Sequence, residues 1–433
     1  MKRIRVLALL LAMLLILATG CTQQTAQQGT NQEPPQNNTQ QPPPQNDTQQ
    51  PPPQGGGDTD TPGGWVAKFP VSKPVVINII DVAGNAQLSQ GAIDAFKEQH
   101  KEIVQDITLE KATAPELAAK IQAQQQAKNM DTTLIITGFD GLAACIDQDV
   151  LEQLMPAYKA EFQYIIDNYL PGAKDAYDLY DGYGIPTVFC PGGPMLTYNP
   201  DAVTTPIKTP QDLMDWAKAN PNKFLYARPA NSGPGRGFMM GLPYLLGDED
   251  PKNPEKWDKT WAYLKELDQY IEYYPTGTGV TFKELGEGTR DMLASHLGWD
   301  MNQRILETIP DYYQGCFFDN QTFINDAHFA AIPKGLSDDV KNASLNLIDW
   351  LMQPDMQAIT FDAGYFYPGP AIKGVTIDMA PAESRAQVSA AMRPEYEEAI
   401  NKFANTSQLP PAELVKAYEM WDQMIGAGKF EVQ

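Results

Sequence analysis

Between residues 75 and 147 the sequence alternates between short β-branched runs and amphipathic stretches, and this alternation limits the fold more than any other feature. Val75, Val76, Ile77, Ile79 and Ile80 make a run suited to a buried strand. A polar, Gly-containing turn follows at 81–85. The spacing of Ala92, Ile93 and Phe96 predicts a helix over 89–99. A second strand is expected at 107–109, a helix over 114–128 with Pro115 in its first turn, and a third strand at 132–137. Gly138 to Gly141 forms the next turn, before a helix over 142–147. Strand–helix alternation of this kind builds a parallel α/β sheet. Ligands in such sheets gather at the carboxyl ends of the strands. That rule nominates Asn85, Phe139 and Asp140 as cleft residues.

The chain ahead of this unit has a different character. Lys2, Arg3 and Arg5 precede an unbroken apolar run over 6–17, too short to span a bilayer comfortably. Ala18, Thr19 and Gly20 then lead to Cys21. The layout is that of a secretory signal, and Ala-Thr-Gly-Cys resembles a bacterial lipobox in which Cys21 is diacylated. Two acyl chains supply the attachment that one cannot. Residues 22–64 are mostly Gln, Pro, Asn, Thr and Gly, with a near repeat of Pro-Pro-Gln-Asn at 34–37 and 43–46. This stretch has too little apolar surface to offset the entropy of ordering, so it reads as a disordered tether.

The formal charge is −22, from 54 acidic and 32 basic residues. Without the signal and tether, 50 acidic residues face 29 basic ones. Nucleic acid is excluded as a partner, because phosphate binding needs clustered Lys and Arg. Three widely spaced histidines, His100, His296 and His328, argue against a zinc enzyme. HExxH, GxSxG and GxxxxGK[ST] are all missing from the sequence. Cys145, Cys190 and Cys316 leave room for one disulfide of unspecified pairing.

Further along, the Tyr- and Asp-rich 177–183 stretch and the Gly-Pro-rich 184–199 stretch read as extended segments crossing between lobes. A helix is expected over 209–220, with Thr209 as N-cap and Pro210 at N1. A strand is expected at 224–227, then a Gly-rich turn at 231–237 and helices over 238–246 and 257–270. Residues 286–292 read as the start of another helix and 295–300 as a strand end. A strand over 327–332 precedes helices over 340–351, 355–362, 394–403 and 411–425.

Several of these stretches together resemble the bacterial ABC-transporter extracellular solute-binding family, whose members include polyamine, iron and thiamine receptors. They are Tyr183-Gly-Ile-Pro186 with Gly192-Gly-Pro-Met-Leu-Thr-Tyr-Asn199, and Ala330-Ala-Ile-Pro-Lys-Gly335 before the helix around Asn346. Gln353-Pro-Asp-Met-Gln-Ala358 and Gly364-Tyr-Phe-Tyr-Pro368 complete the set. The resemblance spans roughly 73–428. It implies an α/β, two-lobe periplasmic-binding-protein-like fold of type II, with hinge strands, that closes on a solute and presents it to a permease. The expected organisation is a lipoprotein signal at 1–20, lipidated Cys21 and tether at 21–64, and lobe I at 65–185. Lobe II follows at 186–325, a return to lobe I at 326–368, and C-terminal helices mainly on lobe II at 369–433. The protein is expected to be an exported, lipid-anchored monomer at the outer face of the cell membrane, without cofactor or metal. Its expected partners are a small solute and ABC permease subunits.

Trp299 and Asp300 sit where the family's polyamine receptors line the cleft, and a Trp face beside a carboxylate suits an organic cation. Those receptors carry an acidic residue just before the late Ala-Ile-Pro strand, where this chain has His328, with Asp326 two residues earlier. Ser232 and Arg236 belong to the Gly-rich turn, whose N–H groups and guanidinium suit an anion. Tyr365 and Tyr367 fall in a loop that closes the cleft in the family. Trp299-Asp300 and the acidic balance favour a small cationic or zwitterionic organic solute over a metal or a long oligosaccharide. An exported α/β hydrolase working through a carboxylate pair is the alternative.

Overall fold

The computed structural model describes residues 64–82 and 84–429. The signal segment, Cys21 and the tether lie outside the described residues, as does the side chain of Asn85. Among the described residues, no helix is long and apolar enough to cross a membrane.

Among the described residues, eleven strands form two sheets. They are β1 (Val75–Val82), β2 (Val104–Ala112), β3 (Leu134–Thr137), β4 (Ile185–Gly193), β5 (Met195–Tyr198), β6 (Phe224–Leu225), β7 (Met292–Ser295), β8 (Gln314–Cys316), β9 (Thr322–Ala331), β10 (Gly369–Pro370) and β11 (Ala404–Thr406). The larger sheet, of lobe I, has the order β2-β1-β3-β9-β4-β10, with β11 added beside β9. Strands β1, β2 and β3 are parallel, while β9 runs antiparallel to both β3 and β4. The smaller sheet, of lobe II, has the order β6-β7-β5-β8. This is a two-lobe, type II arrangement, in which an antiparallel return strand is inserted into a parallel sheet.

Alternation along β1 explains how the lobe I sheet is buried on both faces. Ile77 and Ile79 pack with Phe96, Leu134, Ile136, Leu347 and Trp350 on one side. Ile80 and Val82 pack with Leu117, Ile135 and Phe139 on the other. The latter core continues into lobe II through Phe224, Tyr226, Phe238 and Trp257, with Leu414, Ala417 and Trp421 of the helix Pro411–Trp421 included in it.

The helix Asp338–Leu351 carries a polar stripe at Asp339, Asn342, Asn346 and Asp349, one position every three or four residues. The stripe holds the extended segment before β1. Asn346 accepts from the backbone N–H groups of Lys68 and Phe69 at 3.0 and 3.1 Å and donates to the Phe69 carbonyl at 2.7 Å. Buried Asp349 accepts from Trp65 Nε1, Lys68 Nζ and Tyr164 Oη at 2.7, 2.7 and 2.8 Å. Gln357 joins the late segment to the crossing strand: it donates to the carbonyls of Thr187 and Leu351 and accepts from the Ala371 N–H.

Several sequence expectations need correction. Residues 171–179 form a helix, Pro171–Leu179, because Gly172, Ala173 and Ala176 put a small face inward. The helix expected to open at 286 ends there instead: Thr278–Gly286 precedes Gly288, whose φ of +74° breaks it ahead of β7. The Gly-rich 233–237 stretch is the first turn and more of the helix Gly233–Leu246. Extended structure stops at Ser295, and Trp299 and Asp300 lie in the helix Leu297–Ile305. Here Leu297 and Met301 share a buried face, and Asp300 pairs with Arg304 one turn on. The three described cysteines are all free thiols.

Asn346→Ala removes the acceptor for two backbone N–H groups. Unmet buried donors cost about 1–3 kcal/mol each, so the urea unfolding midpoint should fall by the equivalent of about 2–4 kcal/mol.

Candidate functional site

Strands β4 and β9 pair antiparallel over most of their length, and Asp326 and His328 lie on β9 within this pairing. The helix Gly233–Leu246 enters from the lobe II side. Ser232 caps it, accepting from the Gly235 N–H at 3.0 Å, and its hydroxyl also lies 2.7 Å from that of Thr278. The Arg236 N–H goes to the Ser232 carbonyl, and Pro234 has no N–H. The Gly235 and Arg236 N–H groups of this first turn are thus already taken, so the terminus offers little to an anion.

Arg236 is 3 % exposed. Its Nη2 lies 3.1 Å from both Asp326 oxygens, its Nη1 3.5 Å from Asp140 Oδ2, and Tyr418 Oη accepts from it at 3.5 Å. Burial alone would lower the guanidinium pKa. Asp326, Tyr418 and Asp140 outweigh burial, and the net shift is well upward. Asp326 moves upward as well, driven first by burial and opposed by Arg236.

His296 follows β7 and sits among glycines. A Cβ on Gly192, Gly193 or Gly237 would come within 2.9, 2.7 or 2.5 Å of its ring, and one on Gly233 within 3.3 Å. Glycine is required there by close approach. His296 Nδ1 is 3.9 Å from Asp326 Oδ2. His328, two residues beyond Asp326 on β9, packs against Phe366 with ring centroids 4.1 Å apart. Burial, then the Arg236 charge, lower both imidazoles to about 3, so both are neutral near pH 7. Thr137 Oγ1, Asn231 Oδ1, Arg236 Nε, His296 Nε2 and His328 Nδ1 are buried without a hydrogen-bond partner among the described residues. Unmatched polar atoms are costly in a dry interior and useful facing a solute.

The structure distributes the sequence-nominated residues unevenly. Ser232, Arg236 and Asp140 meet in the cluster. Half-buried Trp299 stacks on Phe282, with centroids 6.0 Å apart, and meets Tyr365 edge-on at 5.1 Å, making an aromatic wall. Gly298 lets the Tyr365 loop seat there, since a Cβ would lie 2.5 Å from the Tyr365 carbonyl. Asp300 is directed elsewhere. It is fully buried and accepts from Thr197 at 2.6 Å, from Arg304 at 2.8 and 3.0 Å, and from Tyr396. Phe139 is core, edge-on to Tyr180 and Phe329. Tyr367 packs with Leu297, Met301 and Tyr396. Asn85 begins the short turn Asn85–Ser89 after β1.

Sequence reasoning left Thr137, His296, Asp326, His328 and Tyr418 off its list of contacts. Asp326 and His328 did carry a signal, as charged or titratable residues at alternate positions in a mostly apolar strand. Among the described residues no group of His, Cys, Asp and Glu could hold a metal ion. An open groove beside Pro74, Lys97, Glu98 and Lys101 lies at the outer edge of the lobe I sheet, apart from this cluster.

The histidines give the protein a pH signature. Their folded pKa values lie below the unfolded value of about 6.5, so the unfolded chain takes up protons first as pH falls. Stability is full above about pH 6.5 and declines toward pH 3, at about 1.4 kcal/mol per pH unit for each ring. His328→Gln should reduce the slope of unfolding free energy between pH 6.5 and 5, the part of the window above most carboxyl titrations.

Comparisons with known proteins agree with this architecture. A profile described as bacterial extracellular solute-binding protein matches residues 91–390. No curated protein sequence matches. Among solved structures, an ABC transporter protein from Clostridium perfringens aligns with 12 % identity and a TM-score of 0.59, covering 82 % of this chain and 99 % of its own. The periplasmic binding protein AfuA from Actinobacillus pleuropneumoniae, with fructose-6-phosphate bound, aligns with 15 % identity and a TM-score of 0.59 over 82 % and 99 %. A periplasmic thiamin binding protein aligns with 15 % identity and a TM-score of 0.54 over 83 % and 98 %. These likenesses carry the fold. The family profile, which spans well over half of the chain, carries the assignment: this protein belongs to the bacterial extracellular solute-binding proteins, exported receptors rather than enzymes.

Proposed function

We propose that the protein is a lipid-anchored receptor that captures a small cationic or zwitterionic organic solute between its lobes and delivers it to an ABC importer permease. The charge balance of the buried cluster carries the reading. Asp326 and Asp140 face a single guanidinium, while burial and that guanidinium keep both imidazoles uncharged. Two carboxylates thus share one cation in the cluster, and a cationic group on a solute would balance the second. The Trp299–Tyr365 wall adds an aromatic face for such a group. Neighbours of the same fold bind thiamin and fructose-6-phosphate, so the fold leaves the solute open and the charges of the site must choose it. A phosphate is disfavoured because Arg236 is already taken by two carboxylates and the helix terminus has little left to donate.

A thermal-shift panel of quaternary amines, primary amines, zwitterions and sugar phosphates tests the assignment. A cationic or zwitterionic solute should raise stability by about 2.7 kcal/mol at one hundred times its Kd. A response to sugar phosphates alone would overturn it. Trp299→Ala should weaken binding of the responding solute about tenfold, with Trp299→Phe losing less. Asp300→Asn should instead lower solute-free stability by about 3–5 kcal/mol, because it strands Arg304 in the interior.

The anchor is supported by the lipobox-like sequence ending at Cys21 and by the polar tether behind it. Cys21→Ala should abolish incorporation of radiolabelled palmitate and release the protein from the membrane fraction. Retention of both would refute lipidation at this residue.

A further inference from the structure

We infer that residues 65–72 form a clasp that joins the anchor tether to one face of the larger sheet, and that this clasp is uncoupled from lobe II and the solute site. Its link to a membrane rests on the proposed lipidation of Cys21. The clasp itself is read from its own contacts.

The segment lies along the helix Asp338–Leu351 and runs opposite to it, so its contacts step back along the helix in order. Trp65 Nε1 and Lys68 Nζ donate to Asp349, each at 2.7 Å. The N–H groups of Lys68 and Phe69 donate to Asn346. Asn342 donates to the Pro70 carbonyl at 2.7 Å, and the Ser72 N–H donates to Asp339 at 2.9 Å. A pull through residue 64 along this line is shared among several bonds. Side chains add to the hold. Trp65 packs against Phe96, His100 and Trp350, with ring centroids 5.8, 4.5 and 5.5 Å away. Lys68 Nζ lies 3.6 Å from the centroid of the Tyr164 ring. Phe69 is 5 % exposed and meets Tyr158 and Phe162, both at 5.6 Å. One short segment is thereby tied to the ends or faces of three helices, Gln90–Gln99, Lys159–Asn168 and Asp338–Leu351.

The position of the clasp gives it its independence. Trp65 and Phe69 belong to the core built around Ile77, Phe96, Leu134 and Trp350. Among the described residues, that core takes nothing from 194–321, the stretch that carries the smaller sheet. The core on the other face of the larger sheet is different, since it runs on into Phe224, Tyr226 and Phe238. Trp299 and Phe366, the aromatic residues of the candidate site, lie in two further groups. The tether therefore joins the fold through the one large core that lobe II does not share. Opening the clasp frees the strap and leaves lobe II as it was, which is local rather than global unfolding.

Hydrogen exchange of the full chain, read by mass spectrometry, tests both halves of the inference. In the wild type, peptides covering 65–72 should exchange far more slowly than an unstructured peptide of the same sequence. Trp65→Ala should speed their exchange about tenfold or more, since one hydrogen bond to a charged carboxylate is worth about that much. Trp65→Phe keeps a ring among Phe96, His100 and Trp350 but loses the donor to Asp349, and it should fall between the two. Peptides covering 233–246 and 292–305 should exchange in both variants as they do in the wild type. Wild-type exchange at 65–72 as fast as the unstructured peptide would overturn the clasp. Exchange at 233–246 and 292–305 that quickens in Trp65→Ala as much as at 65–72 would overturn its independence. Neither solute nor membrane is used. Failure of the thermal-shift panel or of the palmitate test would count against the proposed function and leave the exchange result standing.

Discussion

The strand Thr322–Ala331 is the constraint on which the rest depends. It pairs with β3 and β4 in the lobe I sheet and with β11 near its start. Its inward positions are almost wholly apolar, so its register against β4 is set by packing. Asn325, Asp326 and His328 are the buried polar exceptions, the last two on one face. The register that buries Phe329, Ala330 and Ala331 thereby fixes a carboxylate and an imidazole at the cleft floor. The guanidinium that pairs with that carboxylate comes from a different lobe, so the fold and the charge of the site are determined together.

Much of the fold could be read from the sequence because local signals there act alone. The β-branched run at β1, the run at β3 and the capped helix Pro210–Ala219, with Thr209 and Asp212 bonding reciprocally, each state their structure within a few residues. The errors fell where tertiary packing decides. Residues 171–179 look polar because their aromatic and acidic residues face outward, while small residues carry the buried face. The helix Leu297–Ile305 follows a strand with only His296 between them, so its hydrophobic residues read as a continuation of the strand.

The site was less legible, for an electrostatic reason. Asp300 next to Trp299 has the composition of a cation site, yet its carboxylate is consumed by Arg304 one turn away and by Thr197 and Tyr396 from elsewhere in the chain. Asp140 next to Phe139 has a similar composition and does reach the cleft. A single sequence cannot separate the two, because the difference lies largely in partners brought in from distant parts of the chain. Arg236 shows the same problem with opposite sign. In sequence it is a lone cation in a Gly-rich turn, ready for an anion. In the fold two carboxylates reach it first.

Buried polar groups in this protein sort by whether they are satisfied, and the sorting separates scaffold from site. Asn346, Asp349 and Gln357 have their hydrogen-bonding capacity matched within lobe I, and Asp300 with Arg304 is matched within lobe II. Such groups specify geometry, because misplacing any partner exposes an unmet donor or charge. Thr137, Asn231, Arg236, His296 and His328 each keep an unmatched atom, and these come together where the lobes meet. Other unmatched atoms, such as Trp257 Nε1 and His100 Nε2, lie apart in aromatic packing. In the proposed reading the unmatched atoms of Arg236, His296 and His328 are the ones available to a bound solute. That lack of partners is what a solute can relieve. Under the proposed function, a cationic solute would balance the second carboxylate beside Arg236 and so favour whichever form holds the two lobes around it.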